Sequence, residues 1–159
     1  LMNAELDEAV GIFDIPRTEK AATAKPSDMM VEPPDEAHWR WRLRMAEQIA
    51  SDLEADLFGV KSLYVFGSVK NATAGPNSDI DLLVHDEGEG MKREKLALWL
   101  EGWSLSLAEI NHLRTGFRSK GLLDIHYVTD EDIDRKTSFA VKIGAVTDAA
   151  RPLDLGRNH

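Results

Sequence analysis

The stretch YVFGSVKNATAGPNSDIDLLVHD, residues 64–86, indicates the fold most clearly. Apolar runs at 62–66 and 79–85 are rich in aromatic and β-branched residues, which predicts two strands joined by a polar loop. The second strand carries Asp79 and Asp81, and because side chains alternate along a strand, both carboxylates lie on one face. The apolar residues of this strand face the opposite way, toward a predicted layer of helices.

The surrounding elements predict an α+β fold, with one small mixed β-sheet and helices packed on it. The predicted order is a helix from Asp35 to Gly59, strands at 62–66 and 79–85, a long helix at 92–114, a strand at 121–128, a short helix capped by Thr129 with Asp132 as its partner, and a last helix at 139–147. Apolar spacing in the two long helices predicts their buried faces, which comprise Trp41, Met45, Ile49, Leu53 and Leu57 in the first and Leu96, Leu100, Trp103, Leu107 and Ile110 in the second.

Length and composition indicate one domain with appendages. Residues 1–34 contain four prolines and no sustained period, which predicts an arm or linker; residues 35–150 form the domain, and residues 151–159 a loose tail. The chain starts at Leu1 rather than Met, which is compatible with a fragment of a longer protein. With no long apolar run and no cysteine, we expect a cytoplasmic protein with no membrane span, disulfide or thiolate metal site. The net charge of −9 argues against duplex DNA as a partner.

A third acid occupies the last predicted strand. Asp124 lies among apolar residues, and His126 shares its face. If this strand lies beside the second, then Asp79, Asp81 and Asp124 gather in one patch, where two unit charges ~5 Å apart repel by roughly 3 kcal/mol at an effective dielectric near 20. Such a cluster needs protons or cations, and ligands that are all oxygen favour Mg²⁺ or Mn²⁺.

A glycine and a serine, Gly67 and Ser68, follow the first strand. Glycine lets the backbone approach a ligand closely, and backbone N–H groups with a hydroxyl can hold phosphate oxygens. Together with the acids, this pair predicts metal-assisted transfer at a phosphate.

Gly67-Ser68, ten further residues, Asp79-x-Asp81 and a later strand acid at Asp124 resemble the motif of the nucleotidyltransferase superfamily of the DNA polymerase beta type, above all its minimal domains. The resemblance implies that the Gly-Ser loop binds a nucleoside triphosphate, which we expect to be ATP. It also implies a two-metal mechanism in which Asp79 and Asp81 bind metal. Asp124 would complete the site of the catalytic ion and help to deprotonate the attacking hydroxyl, and pyrophosphate would leave.

The resemblance covers about residues 37–128 and departs from the family at two positions. Members often have Arg where this chain has Val69 and Gly where it has Ala72. Lys70 would replace the lost positive charge and bind the triphosphate together with Gly67 and Ser68. Too few residues follow the last strand for the helical domain with which larger members grip the acceptor. We therefore expect a partner chain or fused domain to supply the acceptor site. The expected acceptor is a protein or a small molecule, with an RNA end as a further option.

Plainer interpretations stay open for these residues. The two acids of the second strand are also compatible with a solvated turn exit, Asp124 with an exposed edge strand, and Ser68 with a simple turn. His126 and His85 are interpreted as structural. The segment HWRWRLR, residues 38–44, mixes aromatic and basic residues as single-stranded nucleic-acid sites do, but on a helix these residues spread around the cylinder, which favours a solvated face.

Two other functions stay open for the chain as a whole. One is a nucleotide-binding partner or regulatory module, antitoxin-like or part of a larger enzyme, with little or no transfer activity. The other is a metal-dependent glycosyltransferase with a D-x-D motif, which normally needs a larger domain and gives no role to Gly67 and Ser68.

Overall fold

A computed structural model describes residues 34–145 and 147–156. Its elements are α1 (Pro34–Asp52), α2 (Ala55–Phe58), β1 (Val60–Phe66), α3 (Gly67–Lys70), β2 (Ile80–Asp86), α4 (Met91–Thr115), β3 (Leu123–Val128), α5 (Asp130–Arg135), a 3₁₀ turn (Ala140–Lys142) and β4 (Arg151–Leu153). The predicted α+β class is confirmed. The arm predicted over residues 1–34 lies outside the described residues, except for its last position.

The four strands form one mixed sheet in the order β3-β2-β1-β4. β1 pairs antiparallel with β2 and with β4, whereas β2 and β3 run parallel. The parallel register pairs Asp81 with Asp124, and Phe66 of β1 pairs with Asp81 from the other side. The acids of the two strands therefore meet between β2 and the edge strand β3, near the start of β2, and the side chain of Asp124 is 53% exposed.

Alternation along the strands gives the sheet two different faces. Ile80, Leu82 and Val84 of β2 are fully buried in the main core, which also contains residues of α1 and α4. The opposite face carries the acids, and a smaller cluster that includes Leu83, Val128, Ala140 and Ala150 is buried there. The main core thus covers one face of the sheet. Residues 139–145 and 147–150, which we call the C-terminal segment, pack on the other face, which carries the carboxylates.

The first predicted helix is two helices, and its predicted stripe is partly wrong. α1 ends at Asp52, and α2 ends at Phe58 with Gly59 as its C-terminal cap, whose φ of 67° is left-handed. Leu57 lies in α2, beyond the break after Asp52, so it does not continue the stripe of α1, and it is 50% exposed. Ile110, at the end of the stripe predicted on α4, is 41% exposed.

The loop predicted over residues 70–78 begins at residue 71 in the structure, because residues 67–70 form the short helix α3. The helix predicted over 139–147 is only the 3₁₀ turn at 140–142. The tail predicted to be loose from residue 151 is wrong in its first part, because Arg151–Leu153 is β4 and Leu153 is 7% exposed. Residues 157–159 lie outside the described residues.

The short helix predicted after Thr129 is confirmed as α5. The side chain of Thr129 accepts a hydrogen bond from the backbone N–H of Asp132, and the carboxylate of Asp132 accepts one from the backbone N–H of Thr129.

Among the described helices, none combines the length and the apolar character needed to cross a bilayer.

Candidate active site

The centre of the site is the pair Asp81 and Asp124. Their strands place them side by side, and their carboxyl groups are close enough to share a hydrogen bond. Burial, then the charge of Asp124, its hydrogen bond and the charge of Asp79, raise the pKa of Asp81 to about 6, against a smaller opposing effect of His126. Without a cation, Asp81 therefore keeps its proton up to a higher pH than an exposed aspartate does.

Asp79 belongs to the same group of charges. It lies one residue before β2, at the exit of the 75–78 turn, and the residue as a whole is exposed. Loss of hydration and then the charge of Asp124 raise the pKa of Asp79, while the charge of Arg42 lowers it. Asp79, Asp81 and Asp124 thus interact electrostatically in the structure.

Gly67 lies directly against these acids. Its φ of 68° is left-handed, and a Cβ built on it would overlap the Oδ2 atom of Asp81. Only glycine fits both the backbone conformation and the space beside the carboxylate. Ser68 follows in α3 and is half-buried, and its carbonyl accepts a hydrogen bond from the backbone N–H of Thr73.

A buried arginine fixes the turn that leads to Asp79. Arg42 is fully buried, and its guanidinium donates to the carbonyl of Ser78 at 2.9 Å, to that of Pro76 at 3.2 Å and to Oδ1 of Asn111 at 2.8 Å. Asn111 in turn donates from Nδ2 to the carbonyl of Pro76 at 2.9 Å. We call Arg42 and Asn111 the turn clamp, because two helices thereby hold the backbone immediately before Asp79.

The prediction that the segment 38–44 forms a solvated face is wrong for Arg42, which is fully buried. Arg42 lies on the true buried stripe of α1, together with Ala46, Ile49, Ala50 and Leu53. Burial lowers the pKa of Arg42 to about 10, against the raising effect of Asp79. The helical spacing between Arg42 and the apolar residues Ala46 and Ile49 is a signal for burial. A charged residue type, however, usually indicates exposure.

His126 connects the acids to the C-terminal segment. Its Nε2 atom lies 3.3 Å from Oδ2 of Asp124, and its ring stacks on that of Phe139 with centroids 3.9 Å apart. Phe66 at the end of β1 lies 5.7 Å from the same imidazole, centroid to centroid. An aromatic cluster of Phe66, His126 and Phe139 therefore borders the acids on the same face of the sheet.

Comparison with known proteins is consistent with this geometry. The sequence profile of the nucleotidyltransferase domain matches residues 44–137, which is more than half of the chain and contains all three acids. The chain belongs to the nucleotidyltransferase domain family. A solved structure from Sulfolobus solfataricus, a candidate nucleotidyltransferase, resembles this domain at 19% identity with a TM-score of 0.38, covering 67% of this chain and 84% of that one. No curated protein gives a significant match.

Within this nucleotidyltransferase domain, Lys70 has a partner that the sequence did not suggest. Its Nζ donates to Oδ1 of Asp148 at 2.8 Å, and its side chain is only 15% exposed. Lys70 was predicted to bind the triphosphate, and in the structure it binds a carboxylate of the chain itself.

The described residues contain no group of three or more His, Asp or Glu side chains already arranged to hold a metal. The acids of the nucleotidyltransferase domain nevertheless fit a hard divalent cation in two respects. The first is that their metal-binding atoms would be carboxylate oxygens. The second is that the carboxyl groups of Asp81 and Asp124 lie close enough to share a hydrogen bond, so one cation can bind between them. Their role as ligands stays a prediction. A cavity of about 710 Å³ lies elsewhere, between α2 and residues 155–156.

Proposed function

We propose that this nucleotidyltransferase domain transfers a nucleoside monophosphate from a nucleoside triphosphate, ATP in the first instance, to a hydroxyl group and releases pyrophosphate. One observation carries the proposal. Asp81 and Asp124 are register partners on neighbouring parallel strands, they interact with the charge of Asp79, and they lie against a glycine whose left-handed backbone and close approach to Asp81 disfavour any side chain. A domain with only a structural role would have no reason to keep this repulsion between neighbouring strands of its sheet.

Asp79, Asp81 and Asp124 would hold the divalent cations. When bound, Mg²⁺ or Mn²⁺ would offset the charge of the phosphates and make the acceptor hydroxyl easier to deprotonate. The raised pKa of Asp81 agrees with this role, because a cation that enters the cluster takes the place of the shared proton.

The residues of the chain have separate tasks in the proposed transfer. Gly67 and Ser68 would position the triphosphate, and the carboxylate of Asp124 would accept the proton of the acceptor hydroxyl. The hydroxyl oxygen then bonds to the α-phosphorus, the bond from that phosphorus to the oxygen bridging to the β-phosphate breaks, and pyrophosphate leaves. His126, 3.3 Å from Asp124, would orient this carboxylate.

A transfer assay tests the proposal. The protein is incubated with each α-labelled nucleoside triphosphate, Mg²⁺ or Mn²⁺, and fractions of protein, small molecules or RNA as acceptors. We expect pyrophosphate release and label on one acceptor fraction. Asp81→Asn should abolish both signals, while Asp130→Asn serves as a control on an exposed acid that is bound to Lys61 and His85.

The same assay separates the alternatives. Binding of a triphosphate without transfer to any fraction would replace the enzyme with a nucleotide-binding regulatory module. Transfer that survives Asp81→Asn would place the chemistry outside the acid cluster.

A further inference from the structure

Three side chains next to the Gly-Ser motif converge on one carboxylate. Asp148 accepts hydrogen bonds from Nζ of Lys70 at 2.8 Å, from Nζ of Lys142 at 2.9 Å and from Nδ2 of Asn71 at 3.2 Å. The hydrogen bonds from Lys70, then Lys142 and Asn71, hold the pKa of Asp148 well below its usual range. Two ammonium groups and an amide thus point at the same anion.

The converging groups come from two parts of the chain that both border the acids. Lys70 and Asn71 stand at the end of α3, the turn that starts with Gly67. Lys142 and Asp148 belong to the C-terminal segment, whose Phe139 stacks on His126. The backbone N–H of Ala150 donates to the carbonyl of Lys142 at 2.9 Å, which closes the loop that presents Asp148.

The two lysines are more covered by the protein than the carboxylate between them. The side chain of Lys70 is 15% exposed and that of Lys142 33% exposed, whereas that of Asp148 is 53% exposed. Asp148 also has a left-handed φ of 50°, a conformation that costs free energy for a residue other than glycine. Turning the carboxylate to solvent breaks three hydrogen bonds, so it requires another anion that replaces Asp148 at the partly covered Lys70 and at Lys142.

Two lysines that share one anion are suited to a phosphoryl group. Lysine ammonium groups bind phosphate oxygens as point charges, and a phosphoryl group offers three oxygens where a carboxylate offers two. A phosphate in the place of Asp148 would keep the hydrogen bonds from Lys70 and Lys142. No other part of the cluster has to be rebuilt for this exchange.

We propose that Asp148 holds the place of a substrate phosphate, and that Lys70, Asn71 and Lys142 bind the outer phosphates of the nucleoside triphosphate once Asp148 has turned away. The assignment to the outer phosphates rests on the proposed function, which places the α-phosphate at the acids. Asp148 is then an internal competitor, so the apparent affinity for a polyphosphate is reduced by the fraction of molecules in which it occupies the site.

The test measures binding of inorganic tripolyphosphate by calorimetry in EDTA at low salt, where no step depends on the metal site. We expect Asp148→Asn to bind about fivefold more tightly than the wild type, because a neutral amide competes less well for the two lysines. Lys142→Gln should bind about fivefold more weakly than the wild type. Asp130→Asn is the matched control for the change in net charge, and its affinity should equal that of the wild type.

Two further binding measurements identify the ligand. A non-hydrolysable ATP analogue should compete with tripolyphosphate, and the affinity for a nucleoside monophosphate should be the same in the wild type and in Asp148→Asn. Asn also tolerates the left-handed backbone, so the fold of Asp148→Asn should survive, which a thermal unfolding midpoint close to that of the wild type will show.

Three results would each overturn the proposal. They are equal tripolyphosphate affinity in the wild type and Asp148→Asn, no detectable binding by Asp148→Asn, and no competition by the ATP analogue. These failures differ from failure of the proposed function. Transfer activity with unchanged tripolyphosphate affinity refutes only the role of Asp148. The expected affinities without transfer of any nucleotide refute only the reaction.

Discussion

Replacing Asp81 by asparagine should stabilise the metal-free protein above pH 6 while it abolishes transfer. The pKa of Asp81 is raised from 3.8 to about 6, so ionisation costs the folded protein free energy that the unfolded chain does not pay. Two units correspond to about 3 kcal/mol at 1.36 kcal/mol per unit, and screening by solvent at this half-buried position reduces the expectation to about 1–2 kcal/mol. Asparagine has the same shape and carries no charge.

The sign of this effect depends on pH. Well below pH 3.8 the carboxyl is protonated in both states, and the variant and the wild type should be equally stable. Between pH 4 and pH 6 the unfolded chain ionises while the folded protein keeps its proton, so the wild type loses stability relative to Asp81→Asn. Above about pH 6 the full difference is present and stays constant.

Urea unfolding in EDTA at pH 4, 5, 6 and 7.5 measures the difference. Asp86→Asn on the same strand is the contrasting variant, because Asp86 is 1% exposed and binds Arg93 at 2.6 Å. That variant should lose about 3 kcal/mol, since it leaves a covered guanidinium without its partner. Destabilisation by Asp81→Asn at pH 7.5, or a difference that is the same at every pH, would refute the reasoning about the acid cluster.

Three other substitutions test the supports of the site. Asn111→Ala should cost about 2–3 kcal/mol in urea unfolding and also reduce transfer, because Arg42 and the turn before the acids lose a shared partner; unchanged transfer would show that the turn clamp is structural only. Ala72→Gly should raise the free energy of unfolding by about 0.5–1 kcal/mol, since residue 72 has a left-handed φ of 59°; a loss of stability would contradict this. Thr129→Ala should cost about 1 kcal/mol through its lost cap, with no effect on transfer.

The sequence was informative where a local pattern determines the structure. Alternation placed Asp79 and Asp81 on the face opposite the apolar residues of β2, and the lone acid in the last strand indicated Asp124. The family resemblance also identified Ala72 as a departure at a glycine position. In the structure this residue has the left-handed φ that glycine adopts most easily, at the end of α3.

Other features depend on contacts between distant parts of the chain. Asp148 lies 78 residues from Lys70, and no local pattern links them. The sequence favours a solvated face for Arg42, because the residues of 38–44 spread around a helix and Trp41 takes the predicted core stripe. The burial of Arg42 depends instead on partners in a distant turn and in α4. β4 has only three residues, too few to show the alternation by which strands are recognised.

Anomalous diffraction from crystals grown with Mn²⁺ and a non-hydrolysable nucleoside triphosphate tests the central claim most directly. The account predicts manganese peaks bound by the carboxylates of Asp79, Asp81 and Asp124, with the triphosphate beside Gly67 and Ser68. Manganese bound elsewhere while these three carboxylates remain without metal would contradict it.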